Sequence, residues 1–258
     1  MRVKDKIIVV TGAAGGIGRA LAERFLKEGA RQVVVSDING DGVEATGKEL
    51  GCVPMRTDVS KDAEVKRLIE ETEEKVGPID LFCSNAGLGT GPSEQSPDSE
   101  WQLAWDVNVM SHVFAARHLV PRMIARGGGY FLNTASAAGL LNQVGGASYG
   151  VTKHAAVGFG EWIALTYAHK GVKVSMLCPQ AVRTAMTEQT EDAGIKAAAA
   201  DGMIETDVVA DCVIEGLDKE SFLILPHAEV ATYIQRKTAD YDRWIKGMNR
   251  MHRAITGE

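Results

Sequence analysis

Short runs of aliphatic and β-branched residues alternate along this chain with longer stretches whose apolar positions recur every three or four residues. The runs at 6–10, 32–36, 52–56, 79–84, 130–135, 173–178 and 222–225 read as strands. Several are apolar nearly throughout, as expected of parallel strands covered on both faces. Stretches at 17–28, 61–76, 98–125, 149–169 and 206–217 carry one apolar face each and read as helices. Strand followed by helix, repeated to the end, predicts an α/β fold: a doubly wound parallel sheet of seven strands with helices on both faces. No linker or shift of composition divides it, so residues 1–258 read as a single domain.

Two segments break the rhythm. Residues 182–205 begin with a stretch to 201 that is rich in Thr, Glu and Ala. An insertion there falls at the carboxyl edge of the sheet, where such folds bind ligands, and reads either as a mobile lid or as a solvated surface helix. The tail at 228–258 carries Tyr233, Ile234, Tyr241, Trp244, Ile245 and Met248 at helical spacing, with Arg and Lys between them. It predicts an amphipathic helix packed on its own domain or a sister subunit, in preference to one lying on a membrane. Tyr241, Trp244, Ile245 and Met248 are expected to share its buried face.

Composition narrows the choice of function. With 45% apolar residues the chain can bury a sizeable core. A net charge of −6 with no long basic run argues against a nucleic-acid partner. No apolar stretch reaches membrane-spanning length. Residues 1–6 are charged and lead straight into the first strand without a signal-peptide pattern, so the expected location is the cytoplasm. Cys52, Cys83, Cys178 and Cys212 form no C-x-x-C pair and read as buried, reduced thiols. The six histidines show no metal-binding spacing, so no metal is expected.

The first strand runs directly into Thr11-Gly12-Ala13-Ala14-Gly15-Gly16-Ile17-Gly18, and a helix follows. Glycines there allow a tight turn and close approach of backbone to a pyrophosphate, and the helix start offers unpaired N–H groups. Placed after strand one, the loop predicts a Rossmann-like dinucleotide site. The second strand ends at Asp37, whose carboxylate can accept from both hydroxyls of the adenosine ribose and repel a 2′-phosphate. The expected cofactor is therefore NAD; the alternative is that Asp37 only opens a turn with Asn39 and Gly40. Tyr149 and Lys153 lie one helical turn apart on a common face. An ammonium and a nicotinamide cation nearby would favour phenolate and bring proton transfer into reach at neutral pH. Ser136, just past the fifth strand, could hold the substrate oxygen.

Taken together these residues resemble the short-chain dehydrogenase/reductase family over nearly the whole chain. The matching positions are Thr11-Gly12-x-x-x-Gly16-x-Gly18, Asp58-Val59, Asn85-Ala86-Gly87, Asn108, Ser136 within Asn133-Thr134-Ala135-Ser136, Tyr149-x-x-x-Lys153, and Pro179 with Thr184. The resemblance implies that Tyr149 is the general acid/base and Ser136 polarises the substrate oxygen. It implies that Lys153 lowers the tyrosine pKa and binds the nicotinamide ribose, and that Asn108 holds a water passing protons from Lys153 to solvent. Asp58 and Val59 would contact the adenine, Asn85 to Gly87 would flank the cofactor, Ile17 would support the pyrophosphate turn and Thr184 would bond the carboxamide region.

The chain departs from the family pattern at Pro179-Gln180, where Gly commonly follows Pro; Gln180 either enters the substrate pocket or caps the turn. No Asp-Gly-Gly-like turn follows the seventh strand. The expected activity is NAD-dependent interconversion of a secondary alcohol and a ketone. The competing classes are a cofactor-binding sensor, which has no need of Asn108, Ser136, Tyr149 and Lys153 together, and an epimerase or dehydratase, which would need a further substrate domain. Leu140, Leu141 and Val144 point to a neutral, fairly hydrophobic small-molecule alcohol or ketone. The stretches 98–125 and 149–169 resemble the family's paired-helix interface, so a homodimer or homotetramer is expected.

Overall fold

Seven parallel strands form one sheet in the order β3-β2-β1-β4-β5-β6-β7 in a computed structural model that describes residues 1–187 and 193–257. They are β1 (Ile7–Thr11), β2 (Gln32–Asp37), β3 (Val53–Arg56), β4 (Leu81–Ser84), β5 (Gly129–Thr134), β6 (Val172–Leu177) and β7 (Leu223–Ile224). Every strand expected from the sequence is present, with ends moved by one or two residues. The helices are α1 (Gly16–Lys27), α2 (Gly40–Leu50), α3 (Asp62–Lys75), α4 (Asp98–Trp105), α5 (Ser111–Ala125), α6 (Ala138–Leu141), α7 (Ala147–Tyr167), α8 (Ala193–Ala198), α9 (Thr206–Lys219), α10 (Glu229–Ala239) and α11 (Tyr241–Thr256).

Successive strand residues face opposite sides of the sheet, and both sides are covered. Ile8, Val10 and Leu132 face Leu21 and Phe25 of α1 and Val209 and Val213 of α9. Val9, Phe82 and Phe131 face Leu68 of α3, Leu119 and Met123 of α5 and Ile163 of α7. Each such side chain, buried fully, contributes roughly 1.5–3 kcal/mol, so continuous apolar strands are what this sandwich requires. The connection from β3 crosses back to β4 beside β1, which opens a crevice at the carboxyl ends of β1 and β4.

Three elements differ from the sequence reading. Helix α2 was not expected, because Gly40, Gly42 and Gly47 weaken any helical pattern. Asn39 starts it by accepting from the Gly42 N–H, and Gly51 ends it in the left-handed conformation with φ 73°. Gly47 serves packing: a Cβ there would stand 2.9 Å from the Pro54 ring of β3. The stretch expected as one helix over 98–125 is α4 and α5 joined by a π turn at Asp106–Met110. The tail is two helices, because the Asp240 side chain accepts from the Arg243 N–H and starts α11 afresh.

The tail folds back on the body. Trp244 joins Ala137, Leu141, Val230 and Tyr233 in a small cluster. The buried Lys237 ammonium of α10 donates to the Leu140 carbonyl at 2.6 Å. The expectation of a common buried face on α11 holds for Trp244 and Met248, which turn inward, but Tyr241 and Ile245 remain 55% and 58% exposed. The small cluster takes up only the inner edge of the helix. No described helix is both long and apolar enough to cross a membrane. Cys52, Cys83 and Cys178 are buried and unpaired, and Cys212 is half-buried.

Candidate active site

The crevice begins where β1 ends. The Thr11 hydroxyl accepts from the Asn85 and Ala86 N–H groups at 3.0 and 3.1 Å and donates to the Cys83 carbonyl, which ties the ends of β1 and β4 together. The Asn85 amide donates to the Thr11 carbonyl and accepts from the Thr134 hydroxyl of β5. Gly12, with φ 66°, lies so close to Ala86 that a Cβ would come within 2.8 Å of its Cα. A Cβ on Gly18 would stand 2.2 Å from the Gly12 carbonyl oxygen, so only glycine lets α1 start this close to the loop.

A cavity of about 350 Å³ runs over this loop. Gly12, Gly16 and Ile17 line one end, with Asp37 beside them. Asn85, Ala86 and Gly87 line its middle, and Pro179, Thr184, Tyr149 and Lys153 line the rest. Asp37 accepts from the Ala14 N–H at 3.0 Å and the Asn39 N–H at 3.0 Å, so its carboxylate is fixed at the loop. It thus opens the Asn39 turn and also lines the cavity. Gly18, Asp58, Val59 and Asn108 do not line the cavity. Asp58 accepts from the Ser60 N–H and hydroxyl just after β3, and Val59 is buried against the α3 layer. The glycine floor, the helix start and the fixed carboxylate fit a dinucleotide with its phosphates over Gly12–Gly16.

Ser136, Tyr149 and Lys153 meet at the inner end of the cavity. The Ser136 hydroxyl donates to the Pro179 carbonyl and accepts from the Ala138 N–H at 3.1 Å. Burial pushes the Tyr149 phenol up, and its hydrogen bond with Ser136 works against that rise. The Lys153 ammonium donates to the Thr134 carbonyl at 3.2 Å and lies 5.6 Å from the centre of the Tyr149 ring. Burial lowers its pKa to about 8. Asn108 sits in the π turn, fully buried. Its amide donates to the Leu88 carbonyl and the Thr152 hydroxyl and accepts from the Leu88 N–H, so the side chain holds the turn after Asn85–Gly87 against α7.

A second pair of cavities opens from the same point. One, of about 320 Å³, is lined by Ser136, Tyr149, Gly89, Thr90, Gln180 and Met186 among others. The next, of about 280 Å³, shares Ser136 and Gln180 and is walled by Leu141, Val144, Trp244, Met248 and Met251. Of the readings open for Gln180, both hold: it faces the cavities, and its N–H donates to His227 while its amide donates to Asp201. Asp201 also accepts from the Tyr233 hydroxyl of α10. The base of the 182–205 segment is clasped where Val182 pairs with Ile204; its residues 188–192 lie outside the described residues. Sequence reasoning missed Tyr233 and Met251 as cleft residues, since only the fold-back of the tail brings them there.

Sequence reasoning also missed His112. It lies on α5 one turn after Asn108, buried beside the Asn133 amide. Burial, then the Lys153 ammonium, lower its pKa to about 3, against a weaker pull from the Asn133 amide. The only hint in the sequence is a histidine on an otherwise apolar helix face.

The fold and this geometry agree with what similar proteins show. The family profile described as short chain dehydrogenase matches residues 6–194. The chain belongs to the short-chain dehydrogenase family. It is similar to the 1-deoxy-11-beta-hydroxypentalenate dehydrogenase of Streptomyces exfoliatus, 31% identical over 95% of this chain and 91% of that one. It is also similar to the 3beta-hydroxysteroid dehydrogenase of Mediterraneibacter gnavus, 37% identical over 73% of this chain and 70% of that one. A short chain dehydrogenase/reductase from Burkholderia phymatum, solved in complex with NAD, superposes with a TM-score of 0.86 at 27% identity, covering 94% of this chain and 96% of that one.

The state of His112 sets an acid limit on stability. Its folded pKa of about 3 lies below an unfolded value of about 6.5, so the unfolded chain binds the extra proton between the two. The stability held by neutral His112 is complete above that window and is lost as pH falls through it. His112→Leu is expected to flatten the fall in Tm between about pH 6.5 and pH 4 relative to the unmodified protein. Parallel melting curves for the two proteins across that range would show that His112 titrates normally.

Proposed function

We propose that this chain is an NAD-dependent oxidoreductase that interconverts a secondary alcohol and a ketone, with Tyr149 as general acid/base. The observation that carries the reading is that Ser136 and Tyr149 are walls common to two cavities, one floored by the glycine loop and one leading into an apolar cleft. A reacting carbon at that junction touches both. Bound over the loop, a nicotinamide dinucleotide supplies the hydride acceptor for oxidation or the donor for reduction.

In oxidation the Tyr149 oxygen takes the substrate hydroxyl proton while the Ser136 hydroxyl donates to the substrate oxygen. Lys153, held by Thr134, offers a positive charge on the protein side of Tyr149 and favours its phenolate. Asn108 fixes the loop beneath Lys153 and is assigned to hold the water that passes protons from Lys153 to solvent. The assigned cofactor contacts are Gly12, Gly16 and Ile17 at the pyrophosphate, with Gly18 seating α1 behind them, and Asp37 at the adenosine ribose. Asp58 and Val59, which lie just beyond the cavity lining after β3, are assigned to the adenine edge, and Asn85, Ala86, Gly87, Pro179 and Thr184 to the nicotinamide half. We read residues 1–258 as one catalytic domain, with 182–205 as a lid and 228–258 as the cleft's outer wall.

The paired-helix assembly expected from the sequence is supported by apolar side chains left uncovered on α4 and α7, among them Leu103, Trp105, Trp162 and Leu165. These belong in a homodimer or homotetramer. Sedimentation at micromolar concentration is expected to give a multimer, and a monomer there would refute the assembly.

For catalysis, Tyr149→Phe is expected to lower kcat by a factor on the order of 10²–10⁴ while NAD still binds. A mutant whose pH–rate profile keeps its height and shape would place the proton acceptor elsewhere. For the cofactor, Asp37→Ala is expected to narrow the preference for NAD over NADP, because it removes a fixed negative charge from the ribose end. Equal kcat/KM with both cofactors in the unmodified enzyme would rule out the NAD assignment.

A further inference from the structure

The apolar cleft that begins at Ser136 reaches as far as Trp244 and Met248. Those two side chains, with Arg236, also line a further cavity of about 560 Å³ between α10 and α11. Its other walls include Arg243, Gly247 and Arg250. Three guanidiniums therefore face one space, in a protein whose net charge is −6. Among the described residues Asp240 is the one carboxylate lining it; it accepts the Arg243 N–H that starts α11 and leaves the arginines in excess. Among the described residues, Arg236, Arg243 and Arg250 take part in no ion pair; Arg236 lies over the Tyr233 ring, 5.8 Å from its centre. Guanidiniums in excess of carboxylates around a concave, partly apolar space form a receptor for an anion.

The α10 wall of this space is held in place. Lys237 pins α10 to the Leu140 carbonyl, and Asp201 clamps Tyr233 of α10 to Gln180 beside the reaction centre. The order of surfaces, read outward, is a hydroxyl-handling pair, an apolar chamber, then a cationic mouth. We propose that the substrate is an amphiphile: its alcohol or ketone meets Ser136 and Tyr149, its apolar body fills the chamber, and a carboxylate or phosphate at its far end is held by Arg236, Arg243 and Arg250. This rests on the oxidoreductase reading above and names the substrate class for that site. It departs from the neutral substrate expected from the sequence, because these arginines lie on the tail, remote in sequence from the motif residues.

A lipid surface is the other anion that a basic amphipathic helix can meet. The geometry disfavours it. At about 100° per residue, Arg243 and Arg250 lie roughly half a turn away from the exposed Tyr241 and Ile245, with the inward seam of Trp244 and Met248 between them. A flat membrane would need cations and exposed apolar groups on the same side.

Calorimetric titration of the full chain, saturated with NAD, with dodecanoate, dodecyl phosphate and dodecanol tests the proposal directly. One of the two anions is expected to bind on the order of tenfold tighter than the alcohol at low salt, with the advantage collapsing at high salt. Whichever anion leads identifies the terminal group. The double variant Arg243→Gln, Arg250→Gln is expected to remove the advantage, and Arg243→Lys, Arg250→Lys to retain part of it. Equal binding of all three probes by the unmodified protein would overturn the proposal, as would a Gln variant that weakens all three alike. Arginine-dependent binding to phosphatidylglycerol vesicles without a preference among the soluble probes would overturn it in favour of a membrane surface. Should the Gln variant fail to fold, the salt dependence of the unmodified protein decides. Binding is read without turnover, so a failed Tyr149 assignment leaves the anion preference standing, and an absent preference leaves Tyr149 standing.

Discussion

Everything at the carboxyl end of the sheet depends on how closely α1 approaches the loop that leaves β1. The missing side chain at Gly18 lets the helix start against the Gly12 carbonyl. The missing side chain at Gly12 lets the same loop lie on Ala86 beyond β4. Thr11 then locks β1 to β4 through three hydrogen bonds from one hydroxyl. A bulkier residue at either glycine would move the first helix away from the crevice and separate the loop from Asn85. The glycine floor and the Tyr149–Lys153 pair would then no longer face one another. Packing at the loop and chemistry at the site are one constraint here.

The same region carries an unusual amount of buried polarity. Lys153 is nearly inaccessible and donates to the Thr134 carbonyl, and His112 lies buried near it beside the Asn133 amide. Burial pushes both toward their neutral forms, and each charge opposes the other. A neutral His112 places no like charge against Lys153, whose charged form can steady a phenolate at Tyr149. The π turn at Asp106–Met110 belongs to this arrangement, because it lies immediately before His112 and fixes Asn108 against Leu88 and Thr152.

Much of this was legible in the chain itself. Parallel strands buried on both faces must be apolar throughout, and that pattern located all seven. The glycine loop and the Tyr149–Lys153 spacing are local in sequence, so their meaning survives without a structure. Helix α2 was hidden because its glycines look like breakers, although Gly47 lets it pack on Pro54. The π turn leaves no mark in an apolar periodicity that continues across it. His112 gains significance only from Lys153, forty-one positions away. The arginines of the tail acquire a role only when Asp240 breaks the tail in two and α11 turns back toward Ser136. What escaped the sequence reading depended on distant partners or on a change of chain direction.

The two ends of the sheet have a consequence of their own. At one end β3 is four residues long and includes Pro54, which has no N–H to offer a neighbour. At the other end β7 is two residues long. Open sheet edges are where strands from separate molecules add to one another and begin fibrous aggregates. Neither margin of this sheet offers a row of free donors and acceptors long enough to seed that growth. The sheet is thereby kept to a fixed number of strands.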